Sequence, residues 1–77
     1  MKKINSSLKR FGAPEIGSVG YQLGDHKIIV EKKNGKINNK NLYEIRSYSP
    51  AHHAWVFEVQ ASAKNYISAA RDFFALV

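Results

Sequence analysis

Residues 54–76 read AWVFEVQASAKNYISAARDFFAL. The first seven alternate: in an extended chain Trp55, Phe57 and Val59 fall on one side, and Glu58 and Gln60 on the other with Val56. From Ser62 the period changes. Ala63, Tyr66, Ile67, Ala70, Phe73, Phe74 and Val77 recur at helical spacing, while Lys64, Asn65, Ser68, Arg71 and Asp72 fill the opposite side. Ser62 is a residue type that caps such a helix, which is expected to run to about Leu76. A strand followed by a helix, each with one apolar face, predicts the core: Trp55, Phe57 and Val59 against Tyr66, Ile67, Ala70, Phe73 and Phe74.

Two further strands precede this unit. Residues 27–33 centre on the β-branched run Ile28, Ile29 and Val30, and residues 42–48 place Tyr43 and Ile45 on one face. Ser49-Pro50 ends the second, because proline cannot donate to a ladder. Asn34-Gly35 is the strongest short turn signal between them, since both residues tolerate positive φ. The polar stretch 38–41 leaves a longer loop open as the alternative. Gly12, Gly17, Gly20 and Gly24 mark residues 12–25 as loop, with room for a short strand around Ser18–Leu23. Near the start, Ser6 or Ser7 can cap one helical turn reaching Phe11, with Gly12 and Pro14 to stop it; a frayed tail is the alternative. The expected fold is therefore α+β: a three-stranded antiparallel sheet covered on one face by a C-terminal helix, in the order β-β-β-α, with room for a short N-terminal helix. Residues 1–17 form a basic arm or short helix with a loop, and residues 18–77 one domain.

A chain of 77 residues sits near the lower limit for a self-sufficient core. It has no cysteine, so neither a disulfide nor a thiolate metal site supports it, which suits a reducing cytoplasm. No apolar run approaches membrane-spanning length. Met1-Lys2-Lys3 resembles the start of a signal peptide, but Asn5-Ser6-Ser7 and Lys9-Arg10 deny it an apolar segment, and a cytoplasmic location is expected. A domain this small gains by pairing, yet lysines and a proline near strand edges discourage it, so both monomer and homodimer stay open.

The formal charge is +6, and all of it lies in the first half. Lys2, Lys3, Lys9, Arg10, Lys27, Lys32, Lys33, Lys36 and Lys40 oppose only Glu15, Asp25 and Glu31; from residue 41 onward bases and acids cancel. A basic surface on so small a domain suits an acidic partner, with nucleic acid the foremost. Lys32, Lys33, Lys36 and Lys40 cluster on one hairpin, with Asn34, Asn38, Asn39 and Asn41 interleaved. Lysines neutralise phosphates without reading sequence, and asparagines can donate to phosphates or base edges. The arm residues Lys2, Lys3, Lys9 and Arg10 extend the same surface. Lysines on a strand edge also serve to block unwanted pairing. Tyr43 and Tyr48, if on the open sheet face, are candidates to stack on a base or anchor a protein partner.

Catalysis is not expected. The acids are scattered, and His52 and His53, adjacent on an extended chain, point apart. No spacing of His26, His52 and His53 fits a metal site, Ser49, His52 and Asp25 form no recognisable triad, and no cofactor is implied. Gly17-Ser18-Val19-Gly20 lacks the ending of a phosphate loop.

Over residues 27–76 the order of elements resembles the arm-type DNA-binding domain of phage and transposon integrases, in which three strands precede a helix and the sheet enters the major groove. Ser62-Ala63-Lys64, opening an alanine-containing final helix, looks like the end of a double-stranded RNA-binding domain, although the basic start of that helix is reduced here to Lys64. The short β-β-β-α chain without enzyme motifs is also similar in simplicity to phage-encoded inhibitors such as anti-CRISPR proteins. These resemblances imply a non-enzymatic nucleic-acid-binding module of phage or mobile-element type, DNA ahead of RNA, or else an inhibitor that docks on a host nucleic-acid-handling complex.

Overall fold

The computed structural model describes residues 8–12 and 15–76. Five strands and a helix follow one another: β1 Leu8–Phe11, β2 Ser18–Leu23, β3 His26–Ile37, β4 Lys40–Ser49, β5 Ala54–Ala63 and α1 Tyr66–Leu76. All neighbouring strands are antiparallel, and the sheet order is the chain order, β1-β2-β3-β4-β5. The expected three-stranded sheet is thus corrected to five. Leu8–Phe11, expected as arm or helix, forms a strand because Leu8 and Arg10 pair with Leu23 and Tyr21 along β2. Residues 1–7 lie outside the described residues, Lys2 and Lys3 among them.

Alternation sorts the sheet into two faces. Val19, Tyr21, Leu23, Ile28, Val30, Tyr43, Ile45, Ala61 and Ala63 share one face, and α1 covers it with Ala69, Ala70 and Phe74, flanked by Tyr66, Ile67 and Phe73. Of the helical stripe read from the sequence, Tyr66, Ile67, Ala70, Phe73 and Phe74 pack and Val77 lies outside the described residues, but α1 begins later than Ser62. The Asn65 side chain caps it, accepting from the Ser68 N–H at 2.9 Å, while β5 runs on to Ala63. Tyr43 is 1% exposed, its ring 5.0 Å from that of Tyr66, so its expected place on an open face is corrected to the centre of the core.

The β3–β4 turn also moves. Asn38 and Asn39 have φ of 52° and 64°, and Ile37 pairs with Lys40 around them: a two-residue turn with both central residues left-handed. A turn at Asn34-Gly35 would set Lys33 beside Lys36, place Tyr43 opposite His26 at the end of β3 and leave Ile45 with no β3 residue opposite it. The observed register instead puts Ile45 opposite Val30 and Ser47 opposite Ile28, so burial of the apolar face overrides local turn preference. Asn34 and Gly35 become an irregularity between Lys33 and Lys36.

A bulge in β5 decides which face the tryptophan takes. Ile45 pairs with Val59 but Arg46 pairs with Phe57, so Glu58 is extra. Val59 stays on the helix face, whereas Phe57 and Trp55 go to the other. The expectation that Trp55 and Phe57 pack beneath the helix is therefore overturned by one inserted residue. Glu58 turns to the helix side, where its carboxylate accepts from the Ser47 hydroxyl.

Candidate nucleic-acid interface

The pairing of β2 ends at Ser18–Glu31 and that of β5 at Asn41–Ala63, so residues 34–40 project beyond both neighbours as a two-stranded ribbon. Lys32, Asn34, Lys36 and Lys40 are exposed on or beside it. Register places Lys32 and Lys36 on the helix side, opposite Tyr43 and Asn41, and Lys40 on the other side beside exposed Ile37. The Asn41 amide anchors the ribbon's base by donating to the Lys64 carbonyl at 3.2 Å, which brings Lys64 to the same end. Among the described residues Lys32, Lys36, Lys40 and Lys64 form no ion pair. Lys33 differs: it lies 3.9 Å from both Glu31 and Glu44 on the open face, and its charge is largely answered there.

The rest of the basic set is dispersed. Lys9 is exposed on the open face. Arg10 lies on the helix side, beside a groove of about 400 Å³ lined by Leu8, Tyr21, Asn65 and Tyr66. Burial raises the Tyr21 hydroxyl above its ordinary pKa of 10.0, against the opposing pull of Arg10 and Arg71. The Tyr66 hydroxyl donates to the Gly17 carbonyl at 3.0 Å and ties the helix to the loop before β2.

The open face carries two aromatics that sequence periodicity assigned to the core, Trp55 and Phe57, together with Phe11 and Tyr48. Trp55 stacks on Phe11 with ring centroids 6.4 Å apart, and Tyr48 meets Trp55 edge-on at 5.2 Å. Flat strands would set β1 and β5 about 19 Å apart, so this contact needs a coiled sheet and leaning side chains. Gly20 permits it: the Phe11 ring lies where a Cβ at Gly20 would be. Ile29, flanked by Gly20 and Arg46, is buried on this side at 4% exposure. Phe57 remains 54% exposed and Tyr48 37%. Of the two tyrosines expected on an open face, Tyr48 is there. The signal that could have found this site was the crowding of aromatics in a chain with one helix to cover them; the strict alternation of residues 54–60 concealed it.

Lys9 and Lys27 lie on the same face. Its acids, Glu31 and Glu44, are engaged: Glu44 bonds Arg46 at 2.7 Å, and both are near Lys33. Elsewhere the Ser49 hydroxyl and His52 Nδ1 are 2.9 Å apart within the β4–β5 turn, a local i to i+3 contact. Among the described residues no three His, Asp or Glu side chains come together as a metal-holding group, and no helix is long and apolar enough to cross a membrane. No protein family, curated protein or solved structure matches the chain.

Proposed function

We propose that this chain is a small non-enzymatic nucleic-acid-binding module, acting in the cytoplasm, whose β3–β4 ribbon contacts phosphates. The observation that carries the reading is the placement of Lys36 and Lys40 on a ribbon that reaches past the sheet and of Lys32 at its base, all three exposed and outside any ion pair among the described residues. A two-stranded ribbon is narrow enough to lie along a nucleic-acid groove, and lysines bind the backbone whatever the bases. Lys64 joins them at the ribbon's base and Asn34, Asn38 and Asn39 supply donors. DNA stands ahead of RNA in this reading.

Salt tests it. If the three lysines each neutralise a phosphate, replacing Lys32, Lys36 and Lys40 by Gln should weaken binding to duplex DNA and reduce the slope of log K against log salt by about 2.7, near 0.9 per contact. Lys33→Gln should change the slope least, because Glu31 and Glu44 already answer that charge. Equal effects from Lys33 and from the ribbon lysines would refute the assignment. The open face favours one second reading, an inhibitor docking on a protein complex, since Tyr48, Trp55, Phe57 and Arg46 are types that dominate protein interfaces. Such a complex would survive nuclease treatment and vary little with salt.

A further inference from the structure

We infer that the open sheet face is a stacking site for unpaired bases, with Phe57 and Tyr48 as the platform, so that the chain prefers single-stranded nucleic acid. This rests on the nucleic-acid reading above and names the form of ligand. Three observations converge on it. Tyr48 is the exposed member of an aromatic cluster whose inner members, Phe11 and Trp55, are held by ring contacts, and Phe57 is exposed on the same face two residues along β5 from Trp55. Ring faces offered by a rigid sheet accept any base, because every base has a π-face. The groups around them are cationic: Lys9 and Lys27 share the face, and Arg46 is directly opposite Phe57 in the ladder. The two acids there are tied up by Lys33 and Arg46, so the surface is complementary to a phosphate chain.

The same charges argue against a second copy of the chain as occupant, since a symmetric contact through this face would set two positively charged faces against each other. A duplex is excluded by its geometry: its bases are stacked on one another and present only their edges to a sheet. An unpaired strand presents both, bases to the rings and phosphates to the lysines. At the ribbon end of the same two strands, β3 and β4, Lys40 lies on this face and extends the phosphate track.

The test is fluorescence anisotropy at about 50 mM salt, where even non-specific binders hold on, using a thymidine oligonucleotide and a duplex of equal length. Wild type should bind the single strand more tightly. Phe57→Ala and Tyr48→Ala should each weaken that binding by about 5- to 150-fold, the range for loss of one stacked base, and leave duplex binding nearly unchanged. Tyr48→Phe should restore it, since the ring is retained. Trp55, the single tryptophan, should report the bound strand by a change in emission. Both alanine variants alter exposed side chains, and circular dichroism checks their fold. Binding lost in the Lys32/Lys36/Lys40 variant but indifferent to Phe57 and Tyr48 would overturn the stacking site and leave the ribbon reading in place. Failure of wild type to bind either form would overturn both. A concentration-dependent mass in light scattering that Phe57→Ala abolishes, or nuclease-resistant capture of a protein through Phe57, would assign the face to a protein and overturn this inference.

Discussion

Deleting Glu58 should be tolerated, whereas deleting Val56, two residues away, should not. In the ladder Val59 pairs with Ile45 and Phe57 with Arg46, so removing Glu58 leaves every cross-strand pair of β5 intact and only straightens the strand. The loss is the contact with the Ser47 hydroxyl between exposed groups, worth about 0.5–1 kcal/mol. Deleting Val56 slides Trp55 into the place opposite Ser47 and carries it to the helix side of the sheet. That removes the Trp55 contacts with Phe11 and Tyr48, about 0.5–1.5 kcal/mol each, and exposes a half-buried indole. The total is about 2–4 kcal/mol once the lost burial is included. For a domain of this size each kcal/mol lowers the melting temperature by about 4–8 °C. Thermal melts followed by circular dichroism should therefore separate the two deletions clearly. Trp55 emission should stay as in wild type for the first and move for the second. Equal destabilisation by both would mean that Glu58 is an ordinary strand residue and that the face assignment of Trp55 and Phe57 is wrong.

Other outcomes follow from the same packing. Phe74→Ala should cost about 3–5 kcal/mol in urea unfolding, because Phe74 is buried beneath the sheet at 1% exposure; Phe57→Ala, on the open face, should cost under about 1 kcal/mol. Raising the pH past 10 should lower stability. The Tyr21 hydroxyl has its pKa raised in the folded state, so the unfolded chain loses that proton first; the contribution is fully present below 10 and lost above it, and Tyr21→Phe should flatten the urea midpoint across that range. Asn39→Val should cost about 1–2 kcal/mol by forcing a β-branched residue to φ near 64°, while Asn39→Gly should melt no lower than wild type.

What was legible in the sequence was what periodicity and local composition control. The apolar stripe of α1 and the inner face of β4 follow from spacing, β3 follows from its β-branched run, and the glycine-rich stretch left room for the strand at Ser18–Leu23. The features that escaped depend on pairing. β1 carries no alternation of its own: Leu8 is made a strand residue by Leu23, and Phe11 by the space above Gly20. The Glu58 bulge is invisible in AWVFEVQ, because a strand read alone gives no count of the residues opposite it. Asn34-Gly35 and Asn38-Asn39 are both sound turns, and only the burial of Ile45 against Val30 chooses between them. For the candidate site, the lysine cluster was legible as charge, but the pairing of Lys33 with Glu44 was not, since the two residues lie on different strands. Of the aromatic platform, Tyr48 was legible as an open-face candidate, and Phe57 escaped with the bulge that turns it there.

The sheet order has a consequence for synthesis. Every strand pairs with the one made just before it, so each hairpin can close as soon as its second strand leaves the ribosome, without waiting for a distant partner. The helix alone comes after all five strands. During the interval Ile28, Val30, Tyr43 and Ile45 form a finished apolar wall with nothing against it, and the nascent chain is at its stickiest just before α1 emerges. Asn65 then starts the helix two residues after the last strand ends, a link short enough to hold the cover beside that wall from the moment it forms.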